Sequence, residues 1–222
     1  MPRTARSTVA QVCYHVINRG NHRARVFDSP GDFRAFLDLV SMAQARVRLD
    51  LLAACLMPNH FHLVVVPHAP GDLGHWMHWL LTTHVCRYNR CRATTGRVWQ
   101  GRFKAFPIER DEHLLTVMRY VERNALRAGL VDDSQDWAWG SLAWRNGSVH
   151  RYLLTEPPIE LPRDWTDLVN SPQTSCELKA LRTCVNRQRP FGNDAWVGRT
   201  AVDLGLQSSL RRVGRPPKEP RS

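Results

Sequence analysis

The 222-residue sequence has no long hydrophobic run and no Cys-x-x-Cys motif. Its longest apolar stretches, such as residues 63–66 and 79–81, are far shorter than the roughly 20 residues that a membrane-spanning helix needs. The basic N-terminus leads into no apolar signal segment, so we expect a cytoplasmic protein that does not cross a membrane. None of the six cysteines forms a Cys-x-x-Cys pair, which favours small buried side chains over disulfides or a zinc site.

Acidic residues are scarce relative to basic ones. Asp and Glu total 20 against 31 Lys and Arg, which gives a formal net charge of +11. A balance of this kind favours an anionic partner, with nucleic acid ahead of an acidic membrane surface. Charge alone also fits an ordinary basic protein with no such partner. Hydrophobic residues make up 43% of the chain, enough to predict a folded core.

Hydrophobic periodicity and turn residues predict an alternating order of strands and helices. Strands are predicted over residues 12–18, 49–57, 61–67 and 103–108, and helices from Pro30, over residues 71–91, and from Asp111 to Ala128. The order is strand, helix, strand, strand, helix, strand, helix. It predicts an α+β protein with a ferredoxin-like split βαβ fold, an antiparallel sheet and one added helix. We expect helices to cover one face of the sheet and the other face to be left open, free to carry a functional site.

The sharpest local motif is the run from Asn59 to Val66, which contains two histidines in alternation. Alternate side chains of a strand share a face, so His60 and His62 point the same way while Phe61 points into the core. Two imidazoles on a rigid strand can supply two ligands of a metal site. Histidine pairs of this kind also occur without any metal, so the motif alone leaves both interpretations open.

The last predicted helix carries Tyr120 and Asn124 beside its apolar face. The two positions are four residues apart and differ by only about 40° around the helix axis. Tyr120 fits either an aromatic at the edge of the core or a nucleophile, and the amide oxygen of Asn124 could complete the metal shell. A tyrosine activated beside a divalent metal, Mg²⁺ or Mn²⁺, can attack a phosphodiester and form a 5′-phosphotyrosine.

Basic and aromatic residues interleave in two further segments. Trp99, Arg102 and Lys104 lie in one of them, which suits stacking on bases and contact with phosphates. The second is a basic loop that contains Arg19, Arg23 and Arg25. Either segment could equally be an exposed basic edge without a specific partner.

Taken together, these motifs resemble the single-tyrosine transposases that carry a His-hydrophobic-His (HUH) motif, and especially the REP-associated tyrosine transposases of bacteria. The resemblance covers residues 15–21, 57–62, 99–104, 120–131 and 189–192 and the Gly-Arg-Pro tail. It implies that His60 and His62 bind the metal, that Tyr120 is the nucleophile and that Asn124 is the third ligand. It also implies cleavage and rejoining of single-stranded DNA that forms hairpins. Ala125 departs from the family pattern, since relatives usually carry proline there.

The composition changes at Asp136, which predicts two parts of the chain. Residues 1–135 correspond to the HUH transposase catalytic domain, and residues 136–222 form an extension containing Trp and Pro that ends in a basic DNA-binding tail. Contacts with DNA are expected from Arg127 and, in the tail, from Arg211, Arg212 and Arg215. The family type suggests a monomer or a homodimer.

Three other functions stay open at this point. A plasmid relaxase or replication initiator would share the HUH motif and the tyrosine. A domesticated DNA-binding regulator would have kept the fold without catalysis. A metal-dependent phosphodiesterase would use the histidines and leave Tyr120 without a role.

Overall fold

The computed structural model describes residues 8–147 and 149–211. A four-stranded antiparallel sheet with strand order β2-β3-β1-β4 lies at its centre. The strands are β1 (Cys13–Arg19), β2 (Leu49–Met57), β3 (His60–Pro67) and β4 (Lys104–Ile108). The helices are α1 (Pro30–Arg46), α2 (Asp72–Arg92), α3 (Glu112–Glu122), α4 (Asn124–Arg127), α5 (Ser141–Arg145), α6 (Trp165–Asn170), α7 (Ser175–Arg187), α8 (Asp194–Asp203) and α9 (Gln207–Leu210).

The first seven elements confirm the ferredoxin-like order that the sequence predicts. Local signals place them accurately, as the start of α1 shows. Ser29 caps this helix by accepting from the backbone N–H of Asp32, and the Asp32 carboxylate accepts from the N–H of Ser29 in return. Pro30 follows in the first turn, where its missing N–H costs no hydrogen bond.

The helix predicted to run from Asp111 to Ala128 is interrupted. α3 ends at Glu122, Arg123 follows with φ −78° and ψ −1°, and the single turn of α4 comes next. The guanidinium of Arg123 donates to the backbone carbonyls of Val169 and Asn170 at the end of α6. The break therefore lies where the side chain bonds to a segment that is distant in sequence.

Helices cover both faces of the sheet. α1 and α2 bury one face in a core that includes Phe36, Leu56 and Phe61. The other face packs against α3, α6 and α7 through residues such as Val117 and Leu181. The expectation that this second face would be left open is wrong, because α3 and the C-terminal part of the chain cover most of it.

The chain beyond residue 135 also covers both edges of the sheet. Next to β2, the N–H of Leu56 donates to the carbonyl of Trp139 over 2.9 Å. Next to β4, the N–H of Phe191 donates to the carbonyl of Pro107 over 2.9 Å. Pairing an edge strand removes a site of non-specific strand association. The domain boundary at residue 135 stays a prediction, and these contacts cross it.

A buried carboxylate links α3 to the C-terminal part. Glu122 is 1% exposed and accepts from the Ser141 hydroxyl over 2.6 Å and from the Trp165 indole N–H over 2.6 Å. It also forms an ion pair with the Nε of Arg145 at 3.1 Å. Ser141 in turn accepts from the N–H of Ala54 in β2, so one acid connects α3, α5, α6 and the sheet.

The six cysteines are free, as the sequence predicts. Cys13, Cys55 and Cys184 are buried. The other three, Cys86, Cys91 and Cys176, are exposed, so the expected burial is wrong for them. No helix in residues 8–147 and 149–211 is both long and apolar enough to cross a membrane.

Candidate active site

Strand β3 presents its two histidines to one face of the sheet. Their ring centroids are 5.0 Å apart and the rings are nearly perpendicular. Phe61 lies between them on the opposite face, fully buried. The register with β1 sets Ile17 opposite His62 and Arg19 opposite His60. The alternation predicted for this strand is therefore present, with a basic residue beside the outer histidine.

A cavity of about 300 Å³ opens where β1 and β3 meet α3, α4 and α7. Its lining comprises Ile17, Arg19, His60, His62, Tyr120, Asn124, Arg127, Arg182, Val185 and Asn186. The ring centroids of His62 and Tyr120 are 5.8 Å apart. The fold thus brings four side chains of the sequence-based hypothesis, two imidazoles, a phenol and an amide, to one cavity.

The proton position on His60 follows from its neighbours. The amide nitrogen of Asn59 donates to the carbonyl of Arg23 over 3.1 Å, which directs the amide oxygen to Nδ1 of His60 at 2.6 Å. An amide oxygen only accepts, so Nδ1 carries the proton. Burial, with the charges of Arg19 and Arg127, lowers the pKa of His60 to about 4. At neutral pH the ring is therefore neutral and its Nε2 lone pair is available to a metal.

His62 is deeper in the fold and only 3% exposed. Burial is the main cause that lowers its pKa well below the usual value, and the neighbouring His15, His60 and arginines act in the same direction. Its Nδ1 lies 2.8 Å from Nε2 of His15, which leaves Nε2 of His62 as the nitrogen free to face the cavity. Both histidines are thus held neutral, as metal ligands must be.

Asn124, the predicted third ligand, lines the same cavity. It is 5% exposed, and its buried Nδ2 has no hydrogen-bond partner within the described residues. A buried N–H without a partner is costly, so Nδ2 would donate to an acceptor such as a bound phosphate, and only the amide oxygen Oδ1 could bind a cation. Two neutral imidazoles and an amide oxygen fit a divalent cation such as Mn²⁺ or Mg²⁺, although two nitrogen ligands are softer than the oxygen shell that Mg²⁺ prefers.

Arg127 places a positive charge directly against the phenol. Its guanidinium carbon lies 4.2 Å from the centroid of the Tyr120 ring, and Nη1 donates to the Tyr120 carbonyl over 3.3 Å. Burial lowers the pKa of this guanidinium. Within residues 8–147 and 149–211, no carboxylate forms a salt bridge with it. A largely desolvated cation without an acidic partner indicates a site for an anion.

A larger cavity of about 670 Å³ adjoins the first, and Ile17, Arg19, Val185 and Asn186 line both. Arg102 and Lys104, two of the predicted DNA-binding residues, line the larger one. Four predicted basic contacts, Arg19, Arg102, Lys104 and Arg127, therefore line two adjoining cavities, and the smaller one contains Tyr120.

The other predicted DNA-binding residues lie elsewhere. Trp99 is 5% exposed and packs against Phe61 with ring centroids 5.3 Å apart, so its ring has no open face for a base. Arg23 and Arg25 are exposed on the loop before α1, where Arg25 pairs with Asp28 at 3.1 Å. Arg211 is exposed at the end of the described chain. Arg212 and Arg215 lie outside the described residues.

Sequence reasoning missed two parts of this site. His15 is fully buried behind His62, and its alternation with Ile17 and Arg19 along β1 is a signal that could have found it. The wall formed by α7, with Arg182 and Asn186, comes from a segment more than 50 residues beyond Tyr120. No local pattern predicts that contact.

Glu109, Asp111 and His113 form a second group that could hold a cation, with ligand atoms within 4.8 Å of one another. Both carboxylates already have partners. Glu109 accepts from the backbone and side chain of Asn193, and Asp111 accepts from Nδ1 of His113 over 2.7 Å. None of the three lines the cavity that holds Tyr120. We therefore consider the histidine pair on β3 the better metal site for chemistry at Tyr120.

A comparison with protein families assigns the chain to a known family. Residues 8–124, more than half of the chain, match the family model described as "Transposase IS200 like". The chain therefore belongs to the IS200-like transposase family.

Two known proteins are similar to this chain, one in sequence and one in structure. A REP-associated tyrosine transposase of Haemophilus influenzae is 26% identical over 126 residues, which cover 52% of this chain and 66% of that protein. The match thus spans slightly less than two thirds of the relative. A solved REP-associated tyrosine transposase bound to a REP hairpin has the same fold, with a TM-score of 0.54 and 15% identity over 72% of this chain and 92% of that one. The resemblance found in the sequence motifs is confirmed.

Proposed function

We propose that this protein cleaves and rejoins single-stranded DNA through a 5′-phosphotyrosine formed at Tyr120, beside a divalent metal held by His60, His62 and Asn124. One observation carries the proposal. The phenol shares a cavity with two neutral imidazoles and with Arg127, a cation that has no carboxylate partner in the described part of the chain.

In the proposed reaction, the Tyr120 oxygen attacks the scissile phosphorus and the bond from phosphorus to the 3′ oxygen breaks. The phenolic proton passes to solvent, and the departing oxygen takes up a proton and becomes a 3′-hydroxyl. When bound, Mn²⁺ or Mg²⁺ would polarise the phosphate and offset its developing charge. Because one phosphoester replaces another, a 3′-hydroxyl can reverse the step and rejoin strands without a nucleotide cofactor.

Arg127 has two functions in this proposal. Its guanidinium lies over the Tyr120 ring, and the attraction between a cation and an aromatic face holds the phenol in place. Its remaining N–H groups can also donate to the phosphate, which explains a half-buried guanidinium without a carboxylate.

Replacing Arg127 with glutamine is expected to slow formation of the covalent intermediate by about 10²–10³-fold, the usual cost of losing one donor to a developing oxyanion. Single-turnover kinetics on a fixed amount of DNA would measure it. Arg92 offers a matched control, since its guanidinium lies 4.0 Å from the Tyr88 ring centroid, away from the cavity. We expect Arg92→Gln to leave the rate near wild type. An equal loss in both variants would contradict the role of Arg127.

We propose hairpin-bearing single-stranded DNA as the substrate. The solved relative binds a REP hairpin. In this chain, Arg19, Arg102 and Lys104 line the larger cavity, which adjoins the one that contains Tyr120, and basic side chains in this position suit a DNA backbone. We also propose that Arg23, Arg25 and Arg211 and, outside the described residues, Arg212 and Arg215 contribute phosphate contacts, which would make binding weaken steeply with salt.

The function is tested by incubating the protein with hairpin-bearing oligonucleotides labelled at either end, with Mn²⁺ or Mg²⁺, and separating products under denaturing conditions. We expect a covalent adduct that retains the 3′ label, since the protein stays on the 5′ phosphate of the downstream fragment. The upstream fragment should leave with a free 3′-hydroxyl, and EDTA should abolish both products. Cleavage without an adduct would indicate a phosphodiesterase, and binding without cleavage would indicate a regulator.

A further inference from the structure

A third histidine lies behind the proposed metal site. His15 on β1 is fully buried, and its ring centroid is 4.9 Å from that of Phe106 and 6.3 Å from that of Tyr120. It does not line the cavity, so it cannot contact the DNA or the metal. A fully buried imidazole in such surroundings requires an explanation, because polar groups are rarely buried without a function or a partner.

Among the described residues, His62 is the only side chain within hydrogen-bond distance of His15. Nε2 of His15 lies 2.8 Å from Nδ1 of His62, and the ring centroids are 5.0 Å apart. The other nitrogen, Nδ1 of His15, has no partner in the described part of the chain. The contact joins neighbouring strands that pair directly, so backbone hydrogen bonds hold both rings in place.

We infer that His15 is a positioning residue for the metal site: its Nε2 accepts a hydrogen bond from Nδ1–H of His62 and thereby holds Nε2 of His62 toward the cavity. The inference rests on the metal site of the proposed function. A hydrogen-bond partner on the nitrogen that does not bind the metal commonly orients a histidine ligand and selects its tautomer. Asn59 does the same for His60 through its amide oxygen, so each histidine would have its own orienting partner.

The positions of the protons on His15 and His62 predict a change on metal binding that packing alone would not produce. A metal binds the deprotonated nitrogen of a neutral imidazole, so metal on Nε2 requires the proton of His62 on Nδ1. Nε2 of His15 must then be the acceptor, and its own proton must lie on the unpartnered Nδ1. Without metal the opposite arrangement is preferred, with His15 Nε2–H donating, because an unpaired buried N–H is rarer than an unpaired acceptor. Metal binding should therefore move one proton within each ring, from Nε2 to Nδ1, without changing either charge.

Two variants of the full-length protein separate positioning from packing. His15→Phe keeps an aromatic ring of similar size against Phe106 and removes the acceptor. His15→Gln keeps a polar group near the position of Nε2. With Mn²⁺ affinity measured from the electron paramagnetic resonance signal of free Mn²⁺, we expect His15→Phe to bind 10–100-fold more weakly, the usual effect of losing such a partner, and His15→Gln to recover part of the loss. Thermal unfolding would confirm that both variants fold.

Nitrogen-15 NMR of the histidine rings tests the same inference on the unaltered chain, with Mg²⁺ as the diamagnetic probe. We expect His15 to be protonated at Nε2 without metal and at Nδ1 with it. If His15→Phe binds Mn²⁺ as wild type does, or if His15 keeps its Nε2 proton when Mg²⁺ is bound, the inference about His15 is overturned while the metal site stands. If His60→Ala does not weaken Mn²⁺ binding, the metal site of the proposed function and the inference both fail.

Discussion

Replacing Tyr120 with phenylalanine is expected to abolish the covalent protein–DNA adduct completely. The variant keeps the ring that packs beneath Arg127 at 4.2 Å and loses only the attacking oxygen. Among residues 8–147 and 149–211, no other tyrosine, cysteine, serine or threonine lines the cavity that contains His60 and His62. The fold and the affinity for hairpin DNA should therefore stay at the wild-type level. Denaturing gels would measure the adduct, and filter binding or a gel shift would measure affinity.

Tyr88 provides the control for this experiment. It is also a helical tyrosine beneath an arginine, with Arg92 4.0 Å from its ring centroid, but it lies on α2, outside the cavity. Tyr88→Phe should form the adduct as wild type does. An adduct that persists in Tyr120→Phe would show that another group is the nucleophile. Loss of the adduct in both variants would point to a general defect instead.

Replacing Glu122 with alanine should destabilise the protein by about 3–5 kcal/mol, the range for removing one partner of a buried ion pair. The substitution leaves Arg145 without its carboxylate at 3.1 Å and removes the acceptor of the Ser141 hydroxyl and the Trp165 indole. Urea or thermal unfolding would measure the loss. Glu122 is two residues from Tyr120, so we expect adduct formation to fail at a lower temperature in this variant.

Glu112 is a suitable control because it is an exposed glutamate in the first turn of the same helix. Glu112→Gln should change the free energy of unfolding by less than about 1 kcal/mol, the size of a single charge effect at a helix terminus. A Glu122→Ala protein as stable as Glu112→Gln would mean that the buried network does not connect α3 to the C-terminal helices in solution.

The sequence predicts the parts of the site that depend on local periodicity. His60 and His62 share a face because side chains alternate along a strand. Tyr120 and Asn124 share a flank because they are four residues apart. This second prediction holds even though the helix breaks at Arg123 between them, since that residue keeps a near-helical φ of −78°. The order of the strands in the sheet is predicted in the same way, from the order of strands and helices along the chain.

Features that depend on distant contacts could not be predicted in this way. Interleaved aromatic and basic residues look the same whether the aromatic faces solvent or the core, and Trp99 faces the core. The break at Arg123 coincides with hydrogen bonds to α6, and the outer wall of the cavity comes from α7. Both contacts require the chain beyond residue 135 to fold back on the sheet, which no local motif indicates.

The central claim, that Tyr120 becomes covalently attached to DNA, is tested most directly by mass spectrometry of the adduct after trypsin and nuclease digestion. Cleavage after Arg119 and Arg123 releases residues 120–123, in which Tyr120 carries the only hydroxyl group. We predict that this peptide carries a nucleotide joined through its 5′ phosphate to the tyrosine oxygen. An unmodified peptide from residues 120–123, with the nucleotide on any other residue, would contradict the proposed mechanism.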